Sequence, residues 1–129
     1  MRLLVDTHCW LWMLVEPERF SAASHEILES ADNELFLSAA SSWEISVKYS
    51  LGELVLPDPP AEYVPDLMLR SGVRGLPIEH RHALAVASLP LHHRDPFDRL
   101  LVAQAMVESL PIMTADPQLS LYAIELIEP

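Results

Sequence analysis

The sequence predicts an α/β fold, a mostly parallel sheet flanked by helices on both faces, and three observations carry that prediction. Short apolar runs near residues 2–5, 35–37, 76–78, 111–113 and 123–127 have strand length, and longer helical segments alternate with them. Runs such as Leu3-Leu4-Val5 and Leu35-Phe36-Leu37 are apolar without alternation, as in strands covered on both sides. The 129 residues hold no internal repeat and no low-complexity tract, and a chain of this length buries enough surface for one domain with one core.

Taken in order, Arg2–Val5 is a strand ending at Asp6, and Thr7–Val15 a helix stopped by Glu16-Pro17. Ser21 caps a helix running through Ala31, and Asp32-Asn33 turns the chain into the strand at Leu35–Leu37. Ser41-Ser42-Trp43-Glu44 has the form of a capping box and opens a helix that Gly52 ends. Prolines 57, 59, 60 and 65 stiffen the connection into a helix carrying Val64, Leu67 and Met68. Gly72 and Gly75 flank a turn before a short strand at Leu76–Ile78, and a helix spans His80–Leu89 until Pro90. In HRDPFDRLLVAQA, Asp95 is an N-cap, Pro96 suits the first helical position, and Asp98 lies three residues after the cap. That helix is apolar on most sides from Leu100 to Val107 and ends near Ser109. A strand at Pro111–Met113, a turn at Thr114–Pro117 and a final strand at Ala123–Ile127 complete the chain.

Charge and composition exclude several classes of function. With 19 acidic residues against 8 Lys and Arg, the chain lacks the broad basic face of an avid, nonspecific nucleic-acid binder. Five of those cations (Arg70, Arg74, Arg81, Arg94, Arg99) and four of the histidines nevertheless fall between residues 70 and 99, as a solvated surface or as a phosphate-contacting edge. A single cysteine, Cys9, permits no internal disulfide, and no apolar run approaches the roughly 20 residues of a membrane span. The expectation is a protein of the reducing cytoplasm without a membrane partner.

Four acids share one kind of position. Asp6 and Asp116 follow strands, and Glu44 and Asp98 fall in the first turns of predicted helices. In a parallel sheet these points converge on the edge where ligands bind. Carboxylates brought together repel unless a cation neutralises them, and an oxygen-rich set favours Mg2+ or Mn2+ over zinc. Such an ion activates water and steadies the charge of an attack on a phosphodiester. Each acid also has a purely local explanation. Asp6 or Thr7 caps the first helix, Glu44 completes a box with Ser41 and pairs with Lys48, Asp98 completes a box with Asp95, and Asp116 caps a last turn.

The strings VDTHCWLW, SAASSWEISVKYSLGEL, HRDPFDRLLVAQA and TAD, which span residues 5–117, resemble the motifs of PIN-domain proteins, specifically VapC-type toxins of bacterial type II toxin–antitoxin systems. The resemblance implies a single-domain PIN-like fold over residues 1–129. It also implies a metal-dependent endoribonuclease, commonly dimeric, that cuts RNA and is silenced by a small antitoxin protein. By it, Asp6, Glu44, Asp98 and Asp116 fall on the acidic metal-site positions, with Thr7 and Thr114 as hydrogen-bonding support. Asp95, the extra acid of DPFDR, is assigned mainly to capping.

Two alternatives stand beside this reading. A noncatalytic receiver-type signalling domain has similar length and an acidic magnesium pocket, but would show an adjacent acidic pair where this chain has Asp6-Thr7, and a lysine after a late strand, whereas Lys48 is the only lysine. The other is a degenerate PIN module kept for binding. Trp10, Trp12 and Trp43 are read as core or partner-facing, and together with Met68 and the negative charge they predict a surface completed by a basic partner. His8 and His93 flank acids and are open candidates for phosphate or metal contact, and Cys9 is read as packed.

Overall fold

The computed structural model describes residues 1–129. Its five strands, β1 (Arg2–Val5), β2 (Glu34–Ser38), β3 (Arg74–Leu76), β4 (Ile112–Met113) and β5 (Leu126–Ile127), form one parallel sheet in the order β3-β2-β1-β4-β5. Six helices connect them: α1 (Thr7–Val15), α2 (Ala22–Glu29), α3 (Ala39–Ser50), α4 (Pro60–Ser71), α5 (His80–Ala85) and α6 (Pro96–Glu108). Central β1 places Leu3 opposite Leu35 and Leu4 opposite both Phe36 and Ile112.

Side-chain alternation sorts the core into two layers. Leu3, Val5, Leu35 and Leu37 pack with Trp10 of α1, Ile45 of α3 and Tyr63, Val64 and Leu67 of α4. Leu4, Phe36 and Ile112 face the opposite way, against Leu101, Val102 and Ala105 of α6. Helices therefore cover both faces, and Leu3, Leu4 and Val5 are sealed from solvent, which is why those strands read as unbroken apolar runs.

The sheet order fixes where a ligand can sit. From β1 the chain steps to β2 and β3 on one side, then crosses to β4 and β5 on the other, so the topological switch lies between β1 and β4. In parallel sheets ligands bind in that crevice, beyond the carboxyl ends of the strands. A receiver domain has the order 2-1-3-4-5, so this sheet removes the receiver alternative.

Several predicted boundaries move. The cap of α3 is Ser38, whose hydroxyl accepts from Ala40 N at 2.9 Å, so the helix follows β2 without a loop. Ser41 is buried inside the first turn instead of capping it, and Glu44 lies in the second turn. No Ser41–Glu44 box exists. Strand β3 is Arg74–Leu76 in place of Leu76–Ile78, because it pairs from Phe36–Arg74 to Ser38–Leu76 and Pro77 has no N–H for the ladder. The helix expected over His80–Leu89 closes at Ala85 and tightens into a 3-10 turn at Val86–Ser88, where Val86 O accepts from Arg99. The last strand shrinks to Leu126–Ile127 because β4 offers only two residues to pair with, and Pro117–Leu121 forms a 3-10 turn. Helix α2 stops at Glu29, not Ala31.

Candidate active site

Asp6 and Asp116 stand on either side of the switch crevice, and Thr114 joins them. Asp6 leaves β1 as N-cap of α1, its Oδ1 accepting from Cys9 N at 2.8 Å. Its Oδ2 accepts from the hydroxyl of Thr114, the residue after β4. The same Thr114 oxygen accepts from Asp116 N at 3.0 Å. Burial raises the Asp6 carboxyl above its ordinary range, against the opposing hydrogen bonds from Thr114 and Cys9. The neighbouring Cys9 thiol is buried and pushed well above its usual value by that burial and by the Asp6 charge, which leaves it packed and unreactive.

Glu44 is held from α1 and from its own helix. Thr7 Oγ1 lies 2.7 Å from Glu44 Oε1 and 2.8 Å from Ser41 Oγ. Only one hydroxyl proton is available, and the carboxylate is the stronger acceptor. Lys48 Nζ reaches the other oxygen, Oε2, at 2.5 Å. Burial pulls the Lys48 ammonium down, yet the hydrogen bond and charge of Glu44, joined by the charges of Asp95 and Asp98, push it above its ordinary value. The expected Glu44–Lys48 pair is present, whereas a capping role for Glu44 is not.

Asp98 projects from the first turn of α6, whose N-cap is Asp95: Asp95 Oδ1 accepts from Phe97 N at 2.8 Å and Asp98 N at 3.4 Å. Asp98 does not return a bond to Asp95 N, so the predicted box is absent. Asp95 N donates to His93 Nδ1 at 3.0 Å instead. His93 Nε2 lies 3.1 Å from Asp98 Oδ2 and 3.0 Å from Asp116 Oδ2, and the three atoms sit within 4.8 Å of one another. Burial, joined by the charges of Asp95, Glu44 and Asp116 and opposed by His93, raises the Asp98 carboxyl to about 7. That a single carboxyl feels three others shows how closely the acids crowd. Asp116 completes the group, its Oδ1 accepting from Gln118 N at 2.9 Å, and it borders an open cleft of about 550 Å³.

The sequence profile of the PIN domain family matches residues 3–125. The chain belongs to the PIN domain family. Ribonuclease VapC22 of Mycobacterium tuberculosis is similar to it over 118 residues at 30% identity, covering 91% of this chain and 88% of that one. Ribonuclease VapC16 of the same organism is 48% identical over 56 residues, a match spanning 43% of this chain and 40% of VapC16. Among solved structures, that of VapBC2 from Rickettsia felis bound to a promoter DNA fragment aligns with a TM-score of 0.75 at 12% identity, covering 100% of this chain and 99% of that chain. FitAcB from Neisseria gonorrhoeae aligns with a TM-score of 0.64 at 22% identity, covering 98% and 96%. At such identities these structures speak for the fold alone.

Within this PIN domain the clustered cations are mostly spent internally. Arg70 pairs with Asp66, Arg74 with Glu34, Arg81 with Glu79 and Glu108, and Arg99 donates to the carbonyls of Pro90 and Val86. Arg94, between His93 and Asp95, is exposed and forms no ion pair. Trp10 is fully buried, Trp12 lies under the Arg19 guanidinium at 4.5 Å, and Met68 is half-buried against the core, so the predicted apolar surface loses three of its four members. Trp43 remains 50% exposed, edge-on to Phe97 with ring centroids 4.6 Å apart.

His93 is the residue that sequence reasoning undervalued. Its place before DPFDR was visible, but the loop geometry that aims its ring between two acids separated by 18 positions was not.

Proposed function

We propose that this PIN domain is a Mg2+- or Mn2+-dependent endoribonuclease of the cytoplasm, the toxin of a toxin–antitoxin pair, with Asp6, Glu44, Asp98 and Asp116 as its acidic centre. The observation that carries the reading is the convergence of Asp98 and Asp116 within 4.8 Å, with the Asp98 carboxyl raised by burial and by its neighbours' charge. Repulsion of that kind destabilises the fold unless something positive is bound. The donor set fits a hard divalent cation, because carboxylate oxygens make up most of what the residues offer. The ribonuclease names of VapC22 and VapC16 point the same way.

When bound, a divalent cation here lowers the pKa of water and steadies the charge that develops on a phosphodiester. The chain's own residues supply the rest. Thr114 and Cys9 N fix the Asp6 carboxyl, Thr7 fixes Glu44, and Asp95 fixes the helix start from which Asp98 projects. Lys48 brings a positive charge to Glu44, and the exposed Arg94 is free to meet the RNA backbone.

A net charge of −11 calls for a basic antitoxin segment, and the exposed Trp43, Leu69, Leu84 and Leu91 offer apolar area to that partner or to a second copy of the chain. Incubating the antitoxin-free protein with RNA and mapping the new ends tests the enzyme. Cleavage should require Mg2+ or Mn2+, stop with EDTA and be lost in Asp98→Asn. No cleavage with either ion by the wild type refutes the enzyme and leaves the degenerate binding module.

A further inference from the structure

We infer that His93 is a positioning residue of the acidic centre, an Nε2–H donor to Asp116 whose ring edge also abuts Asp98, and that it does not ligate metal, so that the centre presents oxygen atoms only. The inference rests on the metal-site reading above for its consequence, though not for its geometry.

A neutral imidazole has one N–H and one acceptor nitrogen, and the hydrogen bond made by one nitrogen decides the state of the other. The backbone N–H of Asp95 can only donate, and it donates to His93 Nδ1 at 3.0 Å. Nδ1 is therefore the acceptor, and the ring proton sits on Nε2. That proton is hydrogen-bonded to Asp116 Oδ2 at 3.0 Å, and Asp98 Oδ2 lies 3.1 Å from the same nitrogen as a close charged contact. Ligation through Nε2 would require the proton to move to Nδ1, where it would face the Asp95 N–H, donor against donor. The side chain is only 13% exposed, and the loop that carries it is tied down by the His93 backbone N–H, which donates to Tyr122 OH at 3.0 Å.

The arrangement at His82 is built the same way and serves as an internal comparison. His82 Nδ1 accepts from Glu79 N at 2.9 Å and Nε2 lies 2.8 Å from Glu108 Oε1; the His82 ring is fully buried, and the more exposed Arg81 also pairs with Glu108. The His82 hydrogen bond and Arg81 hold the Glu108 carboxyl below its ordinary range, so that group is already neutralised by the protein. It is a bolt between α5 and α6. At His93 no guanidinium joins, and a single N–H, bonded to Asp116, stands against two acids that still repel. His93 thus aligns the pair without satisfying it, which is what a group supporting metal ligands does. A ligand set without imidazole selects hard cations over zinc or nickel.

Long-range 1H–15N NMR of the imidazole rings reads the tautomer directly, and calorimetry reads Mg2+ binding. The expected result is an Nε2–H ring in the metal-free protein that keeps its proton at Mg2+ saturation. His93→Ala should weaken Mg2+ binding about tenfold or more, and His93→Gln, whose amide N–H extends into the same space, should recover part of it. Loss of the Nε2 proton on adding Mg2+ would make His93 a ligand and overturn the role, as would wild-type affinity in His93→Ala. A wild type that binds no Mg2+ removes the metal-site reading along with it, whereas a wrong tautomer in the metal-free protein removes only the role given to His93.

Discussion

Replacing Asp98 with Asn separates a helix-start carboxylate from a metal-site carboxylate. The substitution keeps size and hydrogen bonding but deletes one negative charge from among Asp95, Glu44 and Asp116. The Asp98 carboxyl rises from 3.8 to about 7 on folding. Each tenfold change in proton affinity is worth about 1.4 kcal/mol, which sets an upper bound of roughly 4 kcal/mol on the strain of holding that charge. The side chain is 26% exposed, and solvent screening reduces the figure to about 1–2 kcal/mol. Losing a carboxylate from the first turn of α6 costs about 0.5 kcal/mol, so the metal-free variant should be steadier by about 1 kcal/mol at pH 8. For a chain of this length that is a rise of roughly 4 °C in Tm. Below the unfolded value the group is protonated in both states and contributes no strain. As pH rises from about 4 to 7 the unfolded chain ionises first, and stability drains from the wild type alone. The two proteins should therefore converge near pH 4 and separate toward pH 8 in melts with EDTA. Millimolar Mg2+ should reverse the order, because only the wild type gains from binding, and the variant should not cleave RNA. An Asp98→Asn protein that is less stable in EDTA at pH 8 and still cleaves would show the carboxylate to serve its own helix, and would refute the reasoning.

The cap beside it behaves differently: Asp95→Ala loses the bonds from Phe97 N and Asp98 N and should cost about 1 kcal/mol in denaturant unfolding, while NMR titration shows the Asp98 carboxyl moving down. Ser109 ends α6 with φ of 55°, a left-handed conformation that glycine adopts freely, so Ser109→Gly should raise stability by about 0.5–1 kcal/mol in the same assay. Arg94→Ala should raise KM for RNA several-fold and lower the salt dependence of binding by about one counterion, with Tm unchanged. An unchanged KM and salt slope would remove Arg94 from the substrate path.

The two layers, the parallel sheet and most helix starts were legible in the sequence because they are local. Asp6, Ser21 and Asp95 each accept from N–H groups two or three residues ahead, so the cap is written beside the helix it starts. Leu3-Leu4-Val5 reads as a doubly covered strand because burial on both faces leaves no polar alternation. The four acids could be named for the same reason, as each directly follows a strand or stands near a helix start.

Tertiary structure decided what local signals left balanced. Ser38 outcompeted Ser41 as the cap of α3 because β2 runs straight into the helix, and Ser41 was thereby turned inward to Thr7, a neighbour 34 positions away. The length of β5 was set by its two-residue partner, and three of the clustered arginines, Arg74, Arg81 and Arg99, were absorbed by carboxylates and carbonyls that only folding brought near. Above all, the sequence determined that carboxylates stand at the ends of strands, while the crossing from β3 to β4 decided that Asp6 and Asp116 share one threonine hydroxyl and that the His93 ring lies against both Asp98 and Asp116. Hydrogen bonds form between atoms about 3 Å apart whatever their separation along the chain, and only the packed sheet sets those distances.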